Sequence, residues 1–434
     1  MHTVTRMLKR FLILATGVVL GLGLSLVGVR VALAWGLFPN RELDRSSTYM
    51  REVLQLVNEN YVDAKASGYD HLAKSAIHGM VESLDPHSEF LESKDYTVLE
   101  EELSGDFSGI GVQVEMRKGH VVVIAPIANS PGERAGILRG DELLQVDHKV
   151  LEKGTTMDKV IDRLRGRPGT MVAVQMFRPS STKTFDLTLK RELIKQESVR
   201  DARIIAPHTG YIQLTEFSDH TGAEFIEALN RLLKEGIDSL IIDLRGNPGG
   251  LLDAAVEVAE PFFKKSELIV YTQGRKPGDR EDYRATADGD PLVLPIAVLI
   301  NAGSASAAEV VTGALKDTGR AVIVGERSFG KGSVQSIFKL KNGEGLRLTT
   351  ARYFTPGGVS IHEKGIEPQV EVVMSAEEDS KLRLQRLRSD VTDAREFKER
   401  FGFAPIEDRQ LQAALDVLKG VDVFDSSKPA PPVR

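Results

Sequence analysis

Residues 294–317, LPIAVLINAGSASAAEVVTGALKD, join a short apolar run to a helical pattern through a turn of small residues. PIAVLI reads as a strand buried on both faces, as in a covered parallel sheet. AAEVVTGALKD has helical spacing. Strand-to-helix junctions of this kind collect ligands in open α/β sheets. Two serines, Ser304 and Ser306, stand at this one. A hydroxyl there lies near the positive end of the helix, which favours a developing negative charge. Gly303, Ala305 and Ala307 let a polypeptide backbone approach closely. Local physics leaves the two serines equal, and a plain reading, with Ser304 as a cap and Ser306 as filler, fits as well.

The same alternation extends outward over residues 193–375. GYIQLTEF reads as a strand, and TGAEFIEALNRLLKEG as a helix from a Thr221 cap to Gly236. SLIIDLRG is an apolar strand entering the turn Asn247-Pro248-Gly249-Gly250, and LLDAAVEVAEPFF is the next helix. RAVIVGE is another buried strand. SVQSIFKL and GLRLTTARYF read as a hairpin around Lys341-Asn342-Gly343. Apolar strands separated by helices predict a largely parallel, covered sheet. RKPGDREDYRATADGD, 275–290, reads as a polar rim loop. Residues 376–434 are charged and helical, with a loose Pro-rich tail from Lys428. They suggest self-assembly into a homo-oligomer or contact with an adaptor protein.

Residues 103–192 change character. SGIGVQVEM, HVVVIAPI, TMVAVQMF and TKTFDLTLKR read as strands, and LRGDELLQVDHKVL as a turn and a strand pair. SPGERAGI is a short helix with Ser130 capping and Pro131 first, and TTMDKVIDRLRG is an amphipathic helix. Gly109-Ile110-Gly111-Val112, the SPGERAGI helix and Arg139-Gly140-Asp141 together resemble a PDZ domain. Consecutive N–H groups in such a glycine turn can receive a terminal carboxylate. The edge of the next strand can pair with an extended peptide. Residues 37–102 read as a helical arm, with Ser46 or Ser47 as N-cap and Pro86 as a breaker. His78 and His87 read there as surface or turn residues, not ligands.

A basic head, His2, Arg6, Lys9 and Arg10, precedes the apolar run Phe11–Val29, which is long enough to span a bilayer. Ala32-Leu33-Ala34 resembles a cleavage signature. Residues 1–36 are therefore expected to be a signal peptide or membrane anchor. Either places the rest in the periplasm or another extracytoplasmic space, held at the inner membrane if uncleaved. A net charge of −6 gives no support to nucleic-acid binding. With no cysteine, disulfides, thiol nucleophiles and cysteine-ligated metal sites are excluded.

A serine at the 301–317 junction needs an activating base. Histidine is the usual one, but His208, His220 and His362 lie away from the strand-to-helix turns, and no GxSxG elbow occurs. The other arrangement pairs serine with a lysine kept neutral by burial or neighbouring positive charge. Lys331, in RSFGKGSVQ after the next buried strand, is a candidate.

GSASAAEVVTGALKD followed by RAVIVGERSFGKGSVQ resembles the C-terminal processing peptidases, or tail-specific proteases. DLRGNPGG, the PDZ-like module and ARYFTPGGVSIHEKGIEPQV fit the same family in the same order, from roughly residue 45 to 375. The resemblance implies an α/β multidomain chain: a crotonase/ClpP-like αβ protease core, an inserted PDZ domain, and helical N- and C-terminal regions. It implies a serine endopeptidase that binds protein substrates by their C-termini. It assigns the nucleophile to the second serine of the SAS triplet, Ser306. The lysine lies 25 positions on, Lys331, and a helping glutamine four further, Gln335. Ala308 stands where many members carry another serine. The oxyanion donors are then expected from Ala307 N–H and from Gly249 or Gly250, with Gly249 preferred. No cofactor or metal is expected. The competing readings are a PDZ-bearing binding protein on an inactive core, a crotonase-like acyl-CoA enzyme, and a trypsin-like periplasmic protease. The last lacks its catalytic histidine and GNSGG-type motif here.

Overall fold

Strands Thr209–Leu214, Ser239–Asp243, Ile296–Ile300, Ala321–Gly325 and Val370–Glu371 lie side by side in that order, all parallel. Val199–Ala206 adds an antiparallel strand at the Thr209 edge. Parallel neighbours need long crossovers. Helices Thr221–Lys234, Leu252–Ala259 and Ala307–Asp317 lie in them. Side chains alternate between the two faces, as the pleat requires. Ile212, Leu240, Ile242, Val298, Ile300 and Ile323 pack with those three helices. Tyr211, Ile241, Ala297, Leu299 and Val324 pack instead against Ala414 and Leu418 of helix Arg409–Ser426. The charged C-terminal region thus closes the second face of the sheet.

This computed structural model describes residues 41–426 apart from 118, 128, 153, 389, 390 and 392, together with Gly21 and Ser25. The segment Phe11–Val29, those two residues excepted, and the tail from Lys428 lie outside the described residues. Among the described residues no helix is long and apolar enough to cross a membrane.

A second, antiparallel sheet centres on Gly345–Phe354, which pairs with Ser333–Lys339, Leu268–Gly274 and Glu89–Leu91. Arg280–Arg284 extends it beyond Leu268–Gly274. The polar stretch 275–290 therefore holds an edge strand where the sequence predicts only a loop. Its Asp282 bridges Arg280 and Arg284 at 2.7 Å each, and Arg280 lies over the Tyr271 ring at 3.8 Å. Charge of this kind keeps an exposed edge from pairing with other chains.

Between these elements sits a module whose ends meet in the ribbon Asp106–Gly109 with Glu192–Lys195. Its sheet runs Val112–Arg117, His120–Pro126, Glu142–Val146, Met171–Arg178, Lys183–Lys190, all antiparallel, with Lys149–Val150 added to Glu142–Val146. Helices Pro131–Arg134 and Met157–Leu164 complete it. Val121, Val146, Val160, Val172 and Met176 form its own core.

The chain divides into two compact units after Leu84. The first contains helices Arg41–Asn60 and Tyr69–Glu82. The former begins ahead of Ser46 and Ser47, so neither caps it; Ser47 Oγ instead donates back to Asp44 O at 3.0 Å.

Candidate active site

Ser306 is buried at the N-terminus of helix Ala307–Asp317, with φ 55° and ψ −117°. A non-glycine residue with positive φ marks backbone strain held in place by its surroundings. Those surroundings are specific. Glu309 Oε2 accepts from Ser306 N at 2.8 Å and from Lys331 N at 2.9 Å. Its Oε1 accepts from Gly330 N at 2.7 Å and Ser328 Oγ at 2.5 Å. One fully buried carboxylate thus ties the Ser306 turn to the Lys331 loop. Burial pushes the Glu309 pKa up, and its four hydrogen bonds act the other way. The S-x-x-E spacing of a capping box at 306–309 is the sequence signal that points to it.

Ser304 is fully buried and committed elsewhere. Its Oγ donates to Leu244 O at 2.7 Å and accepts from Asn301 N at 3.0 Å. Asn301 Oδ1 accepts from Gly246 N at 2.8 Å and Gly303 N at 3.0 Å, and Ala305 N donates to Asn247 O at 2.9 Å. These bonds stitch the DLRGNPGG turn to the serine turn. As a result a methyl on Gly249, at φ +96°, would stand 2.7 Å from Ser306 Cβ and 2.9 Å from Ala307 N. Gly249 N–H donates to Asn247 Oδ1 at 2.9 Å, so the preferred oxyanion glycine already has a partner. Gly250 bridges to Phe217. Ala307 is the first residue of its helix, where backbone N–H groups lack intrahelical acceptors.

Lys331 is half-buried, and burial, then the nearby Arg347 charge, hold its pKa below the usual lysine value. Among the described residues its ammonium has no hydrogen-bond or ion-pair partner. Gln335 Nε2 donates to Thr349 Oγ1 at 2.8 Å and Ser333 Oγ at 3.2 Å. Its Oε1 is buried with no partner among the described residues, an acceptor left open near the lysine loop.

Two histidines come to this region: His362, which the sequence places away from the strand-to-helix turns, and His87, read from the sequence as a surface or turn residue and found in the Asp85 turn. His362 packs against Gly332: a methyl there would lie 2.2 Å from His362 N. Its Nδ1 is buried without a partner among the described residues. His87 has its pKa lowered by burial, then by the Lys331 charge. It is carried by the Asp85 turn, whose Oδ1 accepts from His87 N at 2.8 Å, next to the strand Glu89–Leu91. No group of acidic and histidine side chains among the described residues could hold a metal ion.

In the inserted module, Gly109–Ile110–Gly111–Val112 leads into the edge strand Val112–Arg117. The loop is braced by helix Pro131–Arg134. Gly132 N donates to Ile110 O at 2.7 Å, and Ser130 Oγ donates to Gly111 O at 2.9 Å. Gly111, at φ +69°, admits no side chain, because a methyl would be 2.1 Å from Ser130 Cβ. Ile110 is buried in the module core. A cleft of 700 Å³ lined by Val112, Gln113, Ser130, Leu193, Arg200 and Thr215 lies beside this strand. A second, of 490 Å³, shares Arg200 and Thr215 and reaches Gly246, Ala302 and Gly303 behind the serine turn.

Residues 208–372 match peptidase family S41, and residues 108–189 match the PDZ domain. A carboxy-terminal-processing protease of Bartonella bacilliformis is 33% identical over 98% of this chain and 99% of its own length. The chain belongs to this peptidase family. The carboxy-terminal processing protease CtpB of Bacillus subtilis is also 33% identical, over 76% of this chain and 68% of its own. Among solved structures, a photosystem II D1 C-terminal processing protease is 31% identical, covering 74% of this chain and 91% of that one, with a TM-score of 0.43. The protein is a serine-type endopeptidase carrying a PDZ domain, and its substrates are proteins.

Proposed function

We propose that this peptidase cleaves through Ser306, with Lys331 as base and Gln335 as the residue that orients it. The observation that carries this reading is the strained Ser306 backbone, tied by one buried glutamate to the loop of a lysine with depressed pKa. Neutral Lys331 takes the Ser306 proton as Oγ attacks the scissile carbonyl. The protonated lysine then delivers that proton to the leaving amine. Water, activated by the same base, releases the acyl group. The open Gln335 Oε1 supports an acceptor role toward the lysine. Ala307 N–H supplies one oxyanion donor and the Gly249–Gly250 turn the other, Gly250 N–H being favoured because Gly249 N–H already donates to Asn247 Oδ1. The closeness of Gly249 to Ala307 N supports that pairing.

The PDZ loop Gly109–Val112 receives the substrate C-terminal carboxylate, and the edge strand Val112–Arg117 pairs with the residues before it. The two clefts sharing Arg200 and Thr215 support a path from that strand toward the serine turn. The protease works outside the cytoplasm, exported or anchored by Phe11–Val29. The helices after residue 375 mediate self-assembly or contact an adaptor protein.

The deciding experiment compares Ser306→Ala, Lys331→Ala and Ser304→Ala on an unfolded protein with an apolar free C-terminus. The first two abolish cleavage, and the third retains part of it. Cleavage by Ser306→Ala at the wild-type rate refutes the assignment. Amidating the substrate C-terminus weakens binding; unchanged binding refutes the PDZ role. Alkaline fractionation of cells and light scattering of the purified chain test location and assembly.

A further inference from the structure

Asp85-Pro86-His87-Ser88 is a breaker turn in the sequence, yet its hydrogen bonds lead to Gln335. Asp85 Oδ1 accepts from His87 N at 2.8 Å and Ser88 N at 2.9 Å, and its Oδ2 accepts from Ser88 Oγ at 2.7 Å. Ser88 is 5% exposed; with its proton on Asp85, its oxygen is left to accept. It accepts from Thr349 N at 3.1 Å. The strand leaving the turn, Glu89–Leu91, pairs with Gly345–Phe354 just before Thr349, with Glu89 opposite Arg347. The turn therefore fixes the backbone of Thr349. On its other side, Gly345–Phe354 pairs with Ser333–Lys339 through a bulge. Ser333 faces Arg352 and Val334 faces Ala351, but Gln335 faces Thr349, which leaves Thr350 as the extra residue. In an unbroken register Gln335 would face Thr350. Bulges re-aim side chains beside active sites. This one sets Gln335 against the threonine that the Asp85 turn holds.

We propose that Thr349, fixed by the Asp85–Ser88 turn and the bulge, is a positioning residue for Gln335: its hydroxyl holds the amide so that Oε1, not Nε2, is presented to Lys331. The inference rests on Gln335 orienting Lys331 as proposed above. A primary amide carries two N–H donors at one end and an acceptor oxygen at the other. Both donors are taken, by Thr349 Oγ1 at 2.8 Å and Ser333 Oγ at 3.2 Å. The opposite end, Oε1, is the buried atom without a partner among the described residues. The two ends are alike in shape and opposite in hydrogen bonding. A turned amide would offer N–H groups to an ammonium that can only donate. Thr349 makes the shorter of the two bonds, so it is the main hold against that turn. Burial would raise the Asp85 pKa, but the bonds from Ser88 and His87 hold it below the usual aspartate value. The turn thus keeps its anionic acceptor at neutral pH.

Four variants of the full-length chain test this on the unfolded protein substrate. Thr349→Val keeps the shape of the side chain and removes the hydroxyl. One lost hydrogen bond to the amide lowers kcat about tenfold, with KM nearly unchanged. Thr349→Ser restores the hydroxyl and most of kcat. Gln335→Ala lowers kcat, and adding Thr349→Val to it lowers kcat no further. A wild-type kcat in Thr349→Val overturns the proposal. So does a Thr349→Ser chain as slow as Thr349→Val, or an equal loss from Thr349→Val with and without Gln335, since either means that the threonine acts through packing and not through the amide. A wild-type kcat in Gln335→Ala overturns the assignment of Gln335 itself, and this inference with it.

Discussion

Gly249→Ala separates backbone strain from damage to the reacting centre, because Gly246 in the same turn is its control. Both glycines have positive φ, +96° at Gly249 and +69° at Gly246. Placing alanine in that region costs about 1–2 kcal/mol at either position. The two differ in what the new methyl meets. At Gly246 nothing lies within 4 Å. At Gly249 the methyl would be 2.6 Å from Ala305 O, 2.7 Å from Ser306 Cβ and 2.9 Å from Ala307 N. None of these is the end of a flexible side chain, so the serine turn itself must move. Overpacking of this kind adds about 1–3 kcal/mol. Moving the proposed nucleophile and proposed oxyanion donor is expected to cost about 10²-fold or more in rate. Gly246→Ala is therefore expected to lose about 1–2 kcal/mol of stability and to keep kcat within a few-fold. Gly249→Ala is expected to lose about 2–5 kcal/mol and to lower kcat by about a hundredfold or more. Urea unfolding and cleavage at saturating substrate measure the two quantities. A kcat for Gly249→Ala close to that of Gly246→Ala would refute the idea that this turn borders the reacting atoms.

Glu309→Ala leaves four buried donors without their acceptor, each costing about 1–3 kcal/mol, so it is expected to abolish cleavage and lower the unfolding midpoint; near-wild-type activity would sink its bridging role. With Lys331 as the proposed base, its depressed pKa predicts that cleavage rises as pH rises through that pKa. Arg347→Gln removes one cause of the depression and moves the rise to higher pH; an unmoved profile would show that Arg347 does not act on the base. Ser304→Ala is expected to lose about 1–3 kcal/mol of stability, read by denaturant titration, because Asn301 N and Leu244 O lose their partner. Arg245→Met strands Asp243, which burial alone would keep protonated but which Arg245 and Arg386 hold far below the usual carboxylate pKa. The expected loss is about 3–5 kcal/mol at neutral pH. In wild type that contribution is present above the unfolded-state aspartate pKa and fades as pH falls below about 4. An equal stability gap between Arg245→Met and wild type at pH 7 and pH 2 would contradict it.

Much of the architecture was legible because it is written in local periodicity. Continuous apolar runs such as SLIID and IAVLI can only be strands covered on both faces, and both are fully buried. The glycine turn at 109–112 and the small-residue turn at 302–308 were visible for the same reason: special backbone geometry demands special residues. The charged stretch 275–290 was misread as a loop because its strand is stabilised by paired charges and a stacked arginine, which leave no apolar alternation. Ser46 and Ser47 have the composition of a cap, yet they sit inside a helix that begins earlier, where the chain carries Glu42 and Asp44 in the first turn.

The sequence by itself determined the candidate chemistry: which side chains can attack, which can take a proton, and which turns can admit a substrate backbone. It also determined the peptidase and PDZ patterns, because these rest on short motifs within single elements. Only the tertiary structure set the two serines physically apart, burying Ser304 in a stitch between two turns and leaving Ser306 strained at the helix start. Only it tied Glu309 to the Lys331 loop, brought Arg347 and Thr349 to Lys331 and Gln335, and set His362 against that loop. The reason is range. Helix and strand preferences act over a few residues, whereas the supports of this site come from strands and loops tens of residues apart, joined by the sheets.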